Sequence, residues 1–250
     1  VSHGSLDHIK GNKLLKIFKI KNKLSFYLIY IFTSLVIVCS WLMLPFFTLT
    51  IFLIIASYHF GKEDSVFGEI QKFKLTSLFF FLKGSIVILA PLYFHSYETI
   101  QIFYLLGVKF SQFNSYFIVL LISLSLISNF FINKNIFFSL LDSFTIIILN
   151  ISFEPLFAFT MYFCFLHSVR HSLSLVESMN NKNFKKGLIN FLKKALPLTT
   201  VTALGFLIVV FLLNDYYLLN SAILKVIFIG LASLTFPHIL LEYLLEQNEK

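Results

Sequence analysis

Between Leu24 and Gly61 the chain carries no charged residue. A helix crosses the hydrocarbon layer with ~20 apolar residues, so this stretch holds one full span and most of a second. The rest of the chain repeats the theme. It is 58% hydrophobic and 13% charged, with 33 phenylalanines, far beyond the apolar share of a soluble domain. The apolar runs are long and continuous, whereas the strands of a membrane barrel alternate over short segments. The fold class is therefore all-α: a polytopic transmembrane helix bundle, expected as a single domain over residues 1–250.

Reading each apolar run as a span gives about eight, at 24–44, 46–60, 75–95, 115–133, 136–153, 155–171, 197–213 and 222–244. Segment 98–110 is apolar but short, and is read as interfacial or re-entrant. Pro45 and Pro155 fall between neighbouring spans, where a residue that cannot continue a helix belongs. Segment 172–195 is read as the largest polar loop. The chain opens at Val1 directly into a polar motif, and a further hydrophobic helix is expected ahead of it.

The net charge of +8 is a matter of topology and not of nucleic-acid binding. Its lysines gather in short stretches, Lys10 to Lys23 and Lys182 to Lys194, as the excess of basic residues in cytoplasmic loops requires. Cys39 and Cys164 lie within apolar runs and form neither a disulfide framework nor a CxxC motif.

Placing the lysine-rich stretches in the cytoplasm and counting crossings brings His3, His59, His167 and His171 to one side of the membrane, with His95 opposite. His167 and His171 are four residues apart, so on a helix they share a face one turn apart. Imidazole is a preferred ligand for iron, copper and zinc, and polar groups at membrane depth carry a cost that function must explain. A non-haem metal centre near the cytoplasmic side follows as the leading expectation.

Acids near these histidines are candidates to hold a ligand's outer N–H and fix its tautomer. Glu63 and Asp64 follow His59, Asp7 lies four residues from His3, and Asp142 sits inside the 136–153 span. Asp142 is expected to bond a ligand histidine. His238, after Pro237 in the last span, is read as lining the same cavity rather than binding metal. His3 and His8 are poorly spaced to act together on a helix. Lys83 and Lys225 are read as snorkelling to the interface.

Several chemistries have no support. There is no HExxH zinc-protease motif, no repeated histidine clusters of the desaturase kind, no haem-attachment CxxCH, and no Walker or Rossmann glycine pattern.

The motifs His3–Gly4–Ser5–Leu6–Asp7–His8, Tyr58–His59–Phe60–Gly61 with Asp64, Tyr162 to His171, and Phe236–Pro237–His238 occur in an order that resembles the Brp/Blh family. Those are integral-membrane β-carotene 15,15′-dioxygenases, often associated with microbial rhodopsins. The resemblance implies a centre of Fe(II) with ligands His3, His59, His167 and His171, and O₂ as co-substrate. It also implies cleavage of β-carotene at its central double bond into two all-trans-retinals. An enzyme in the lipid bilayer admits so apolar a polyene sideways, without drawing it through water. Two other classes are carried beside this one. A non-enzymatic carotenoid or retinal binder of opsin type would need Lys83 or Lys225 for a Schiff base, and a metal transporter would need access from both faces.

Overall fold

The computed structural model describes residues 4–65, 75–110, 114–132, 136–180 and 182–248. Among them all regular structure is helical. The order is α1 (Asp7–Ile17), α2 (Leu24–Met43), α3 (Pro45–Glu63), α4 (Thr76–Phe94), α5 (Ser96–Leu105), α6 (Ser115–Ile132) and α7 (Ile136–Ser152). Then come α8 (Pro155–Met161), a π-helical turn (Tyr162–His167), α9 (Ser168–Met179), α10 (Phe184–Leu213) and α11 (Leu219–Asn248). The pieces from Pro155 to Met179 run on end to end.

Among the described residues, five helices are long and apolar enough to cross a membrane: α2, α4, α6, α10 and α11. These account for five of the eight expected spans. Of the rest, α7 is apolar but has only 17 residues. Segments 46–60 and 155–171 are helical but lie outside that group of five. The short piece at 98–110 contributes the ten-residue α5 and stops at Gly107, whose φ of 88° suits only a residue without a side chain. Pro45 and Pro155 each open a helix, at the first-turn position where a missing N–H costs nothing.

One expectation is overturned. Segment 172–195 is not a loop, because α9 runs to Met179 and α10 begins at Phe184. Gly187, Phe191 and Ala195 recur every fourth residue and are buried, while Lys185, Lys186, Lys193 and Lys194 are exposed. A clean apolar stripe thus carries the lysines on its outer face. Asn183 caps α10 by accepting from the Lys186 N–H at 3.0 Å.

The chain divides into two compact units, Val1–Thr48 with Ser172–Lys250, and Leu49–His171. In the first, Leu6, Val176, Phe191 and Ala195 form a buried cluster. Lys10 of α1 donates to Glu242 of α11 at 2.6 Å, and a side chain at Gly11 would strike the Phe26 ring on α2.

In the second unit α3 and α4 meet backbone to backbone. A Cβ at Gly61 would run into the Phe80 carbonyl, and one at Gly84 into the Ser57 carbonyl. Small residues that let helices approach this closely are characteristic of packing in lipid. The burial pattern is inverted relative to a soluble protein: Ser125, Ser128 and Asn129 of α6 are buried, while Phe130 and Phe131 beside them are exposed. Asn129 joins α6 to α7, donating to Ser143 Oγ at 3.0 Å and accepting from Ser139 Oγ at 2.6 Å.

Candidate metal centre

The C-terminal end of α3 brings together an imidazole and two acids. His59 is buried within the helix, Glu63 closes it, and Asp64 follows. Opposite them stands the π-helical turn. A π-turn places residues five apart on one face, and it brings Tyr162 and His167 both inward. The α-helix resumes at Ser168, so His171 lies one turn beyond His167.

His167 is 1% exposed and donates from Nδ1 to Asp64 Oδ1 at 3.0 Å. Tyr162 donates its hydroxyl to the other oxygen of Asp64 at 2.6 Å. His171, also buried, donates from Nδ1 to Glu63 Oε2 at 3.0 Å. The rings of His59 and His167 stand 5.5 Å apart between centroids, edge to face. Phe60 meets His167 at 4.9 Å and Phe163 stacks on it at 5.6 Å, so aromatic surface walls the imidazole.

The chemistry of this donor set fits a divalent transition metal. An imidazole whose Nδ1–H donates a hydrogen bond to a carboxylate keeps its lone pair on Nε2, and this pairing is the usual outer support of a metal-bound histidine. Two rings at 5.5 Å can share one ion when each metal–nitrogen bond is about 2 Å. Neutral nitrogen donors suit iron, copper, zinc and nickel rather than magnesium or calcium.

The other residues singled out in the sequence fall as follows. His3 lies outside the described residues. Asp64 accepts from His167 and Glu63 from His171, so both acids after His59 meet an imidazole. Asp7 pairs with His238 Nδ1 at 2.8 Å and accepts from the Tyr30 hydroxyl at 2.9 Å. That buried acid therefore supports an imidazole, one that the sequence reading had placed as cavity lining. His8 donates to the Ser5 carbonyl at 3.1 Å. His95 donates from Nε2 to the Asn150 carbonyl at 2.7 Å.

Two expectations are corrected. Asp142 meets Arg170 Nη2 at 2.5 Å and Lys83 Nζ at 3.8 Å rather than an imidazole. Its helical position points it at the residue before His171, where a guanidinium offers the stronger partner. Lys83 does not snorkel. It is 3% exposed, because its helix packs backbone to backbone against α3 at the next residue, Gly84. The contacts of Tyr162 and Lys83 beside these groups escaped the sequence reading. Tyr162 stood in the sequence only as the first residue of a motif, five before His167, a step that α-helical spacing does not bring onto one face.

The described residues define an apolar, helical protein, one unit of which carries a cluster of carboxylate-braced histidines. The family described as Beta-carotene 15,15'-dioxygenase matches residues 1–246, and the chain belongs to that family. It is similar to a Beta-carotene 15,15'-dioxygenase from Uncultured marine bacterium 66A03, 29% identical over 265 residues that cover 96% of this chain and 87% of the relative. Among solved structures there is no significant match. Membership makes the chain an enzyme of the carotenoid-cleaving dioxygenase class, and so sets aside the non-enzymatic binder and the transporter.

Proposed function

We propose that this protein cleaves β-carotene at the central 15,15′ double bond with O₂, giving two molecules of all-trans-retinal. The cofactor is Fe(II), held by His59, His167 and His171 with His3 as the fourth ligand. The observation that carries the reading is the convergence of His59 and His167 at 5.5 Å, with His167 and His171 each braced through Nδ1 by an acid from the end of α3. His3 enters through the motif resemblance, and the family match from residue 1 supports it. The unbroken match over 1–246 likewise supports reading the chain as one oxygenase domain.

When bound, ferrous iron supplies the electrons and vacant positions that let dioxygen react with a closed-shell polyene. The protein's own residues do the rest. Asp64 and Glu63 accept hydrogen bonds from the Nδ1–H groups and so hold His167 and His171 as neutral donors in fixed orientation. Tyr162 locks Asp64 from its other oxygen. Phe60 and Phe163 exclude water around His167 and present ring faces to apolar substrate. The double bonds of β-carotene are nearly alike, so cleavage at the centre must come from positioning the polyene along such aromatic walls.

The protein is a multi-pass protein of the cell membrane, with the eight spans read from the sequence and the iron site near the cytoplasmic side. β-Carotene enters from the bilayer, and retinal passes to a microbial rhodopsin. The five long apolar helices support the membrane placement. The test is expression in cells that accumulate β-carotene. Loss of orange colour with stoichiometric iron and retinal is the expected result, abolished in His171→Ala. Full activity of iron-free purified protein would overturn it.

A further inference from the structure

A buried ammonium in an apolar helix costs several kcal/mol unless it is paired, and a methionine of similar length would fill the space without that cost. Lys83 is such a group, eight residues into α4 and 3% exposed. Its contacts are not scattered. Nζ donates to Ser65 Oγ at 3.1 Å, and Ser65 directly follows Asp64, the acid that holds His167. Ser65 is itself fixed, donating to the Gly61 carbonyl at 2.6 Å.

On its other side the Lys83 ammonium lies 3.8 Å from Asp142 Oδ2, whose Oδ1 takes Arg170 at 2.5 Å. Arg170 directly precedes His171. One cation thus reaches both arms of the histidine centre, on one side through Ser65, next in sequence to Asp64, and on the other through Asp142 and its partner Arg170, next in sequence to His171. The backbone around it is pinned as well: Ser125 Oγ donates to the Lys83 carbonyl at 3.3 Å, and Gly84 abuts the Ser57 carbonyl of α3.

We propose that Lys83 is a positioning residue of this centre, fixing the Asp64–His167 and Glu63–His171 pairs against one another through Ser65 and through Asp142–Arg170. It touches neither ligand ring in this role. The inference rests on the iron-site reading above. It predicts that removing the ammonium loosens the metal without altering how carotene is bound.

The test compares Lys83→Met, Lys83→Arg and Asp142→Asn with the parent full-length protein in detergent or lipid nanodiscs. Affinity for Fe(II), the ligand-field spectrum of bound Co(II) and the kcat against KM split are measured. Loss of an outer partner of a metal ligand lowers affinity about 10–100-fold; Lys83 stands one residue further out, so Lys83→Met is expected at the low end, about 10-fold, with a changed Co(II) spectrum. Its kcat should fall while KM for β-carotene holds. Lys83→Arg, which keeps the charge, should restore most of the affinity. If Lys83→Met fails to fold, Lys83→Arg and Asp142→Asn decide, the second losing affinity and the first keeping it.

Three results overturn the proposal: parent-like affinity and Co(II) spectrum in Lys83→Met with only a lowered melting temperature, a rise in KM alone, or borohydride trapping of retinal on Lys83. A parent protein that binds no Fe(II) or Co(II) would instead sink the iron-site reading, and this inference with it. Normal parent binding combined with an indifferent Lys83→Met sinks only the role given to Lys83.

Discussion

His167 and His238 are held in the same way, each giving its Nδ1 proton to a buried aspartate that also accepts a tyrosine hydroxyl. They differ in where the aspartate comes from. Asp64 lies five residues past His59 at the end of the same α3 segment, so one short piece of chain supplies an imidazole and the acids for two others. Asp7 reaches His238 across the whole sequence, from α1 to α11. The first arrangement is rigid because its parts share a helix end. The second depends on the packing of α1 against α11, where Lys10 and Glu242 also pair. On the proposed function, carboxylate-braced imidazoles serve two jobs, His167 as a metal ligand and His238 in joining α11 to α1 through Asp7.

The strongest way to break this comparison is to remove the rings. His59→Ala and His167→Ala should each lower retinal formation by more than the roughly 100-fold that marks the upper range for losing an outer partner, with bound iron lost alongside. Retinal assay and metal analysis on purified protein measure both. His238→Gln should retain its iron. If it loses iron as His167→Ala does, the distinction between a centre and a helix tie collapses.

A finer test exchanges the acids. Asp64→Asn should weaken Fe(II) binding about 10–100-fold, because its side chain is 7% exposed and no solvent can stand in for it. Glu63→Gln should cost less, since its side chain is 17% exposed and water can take over the contact. Equal losses would show that burial does not set the ranking. Asp7→Asn should leave iron affinity within about twofold but lower stability by about 1.5–3 kcal/mol, the range for a hydrogen bond to a charged group. Thermal melting and metal titration on the same sample separate those outcomes.

The helical class was legible because nothing but a helix satisfies backbone groups over runs as apolar as Leu24–Met43. The acids after His59 were legible as partners for imidazoles, and the four-residue step from His167 to His171 was legible as one turn of helix. What escaped did so for local reasons. The π-turn shifts the face of Tyr162 by one residue, and single-chain periodicity assumes the α spacing. The helix at 184–195 was hidden by its lysines, whose polarity read as loop until Gly187, Phe191 and Ala195 were seen to form a stripe. Lys83 was misread because depth along a span says nothing about which neighbour a side chain faces. Long-range pairs such as Asp7 with His238 leave no mark in a single sequence.

The smallest expected effect concerns the seam between α6 and α7, where no acid takes part. Asn129 is wholly buried and bonds Ser143 and Ser139 across the helix pair, and also returns to the Ser125 carbonyl at 3.1 Å. Interhelical hydrogen bonds within membranes average about 0.6 kcal/mol and reach about 1.7. Because Asn129 makes two at once, Asn129→Ala should sit toward the upper part of that range in a detergent unfolding measurement. Ser139→Ala removes one donor and should sit near the average. Neither change touches an imidazole or its acid, so Fe(II) affinity should stay at the parent value. A measurable loss of iron in Asn129→Ala would mean that the seam reaches the centre through α4, where Ser125 meets the Lys83 carbonyl. Neutral and charged networks in this unit would then be one system rather than two.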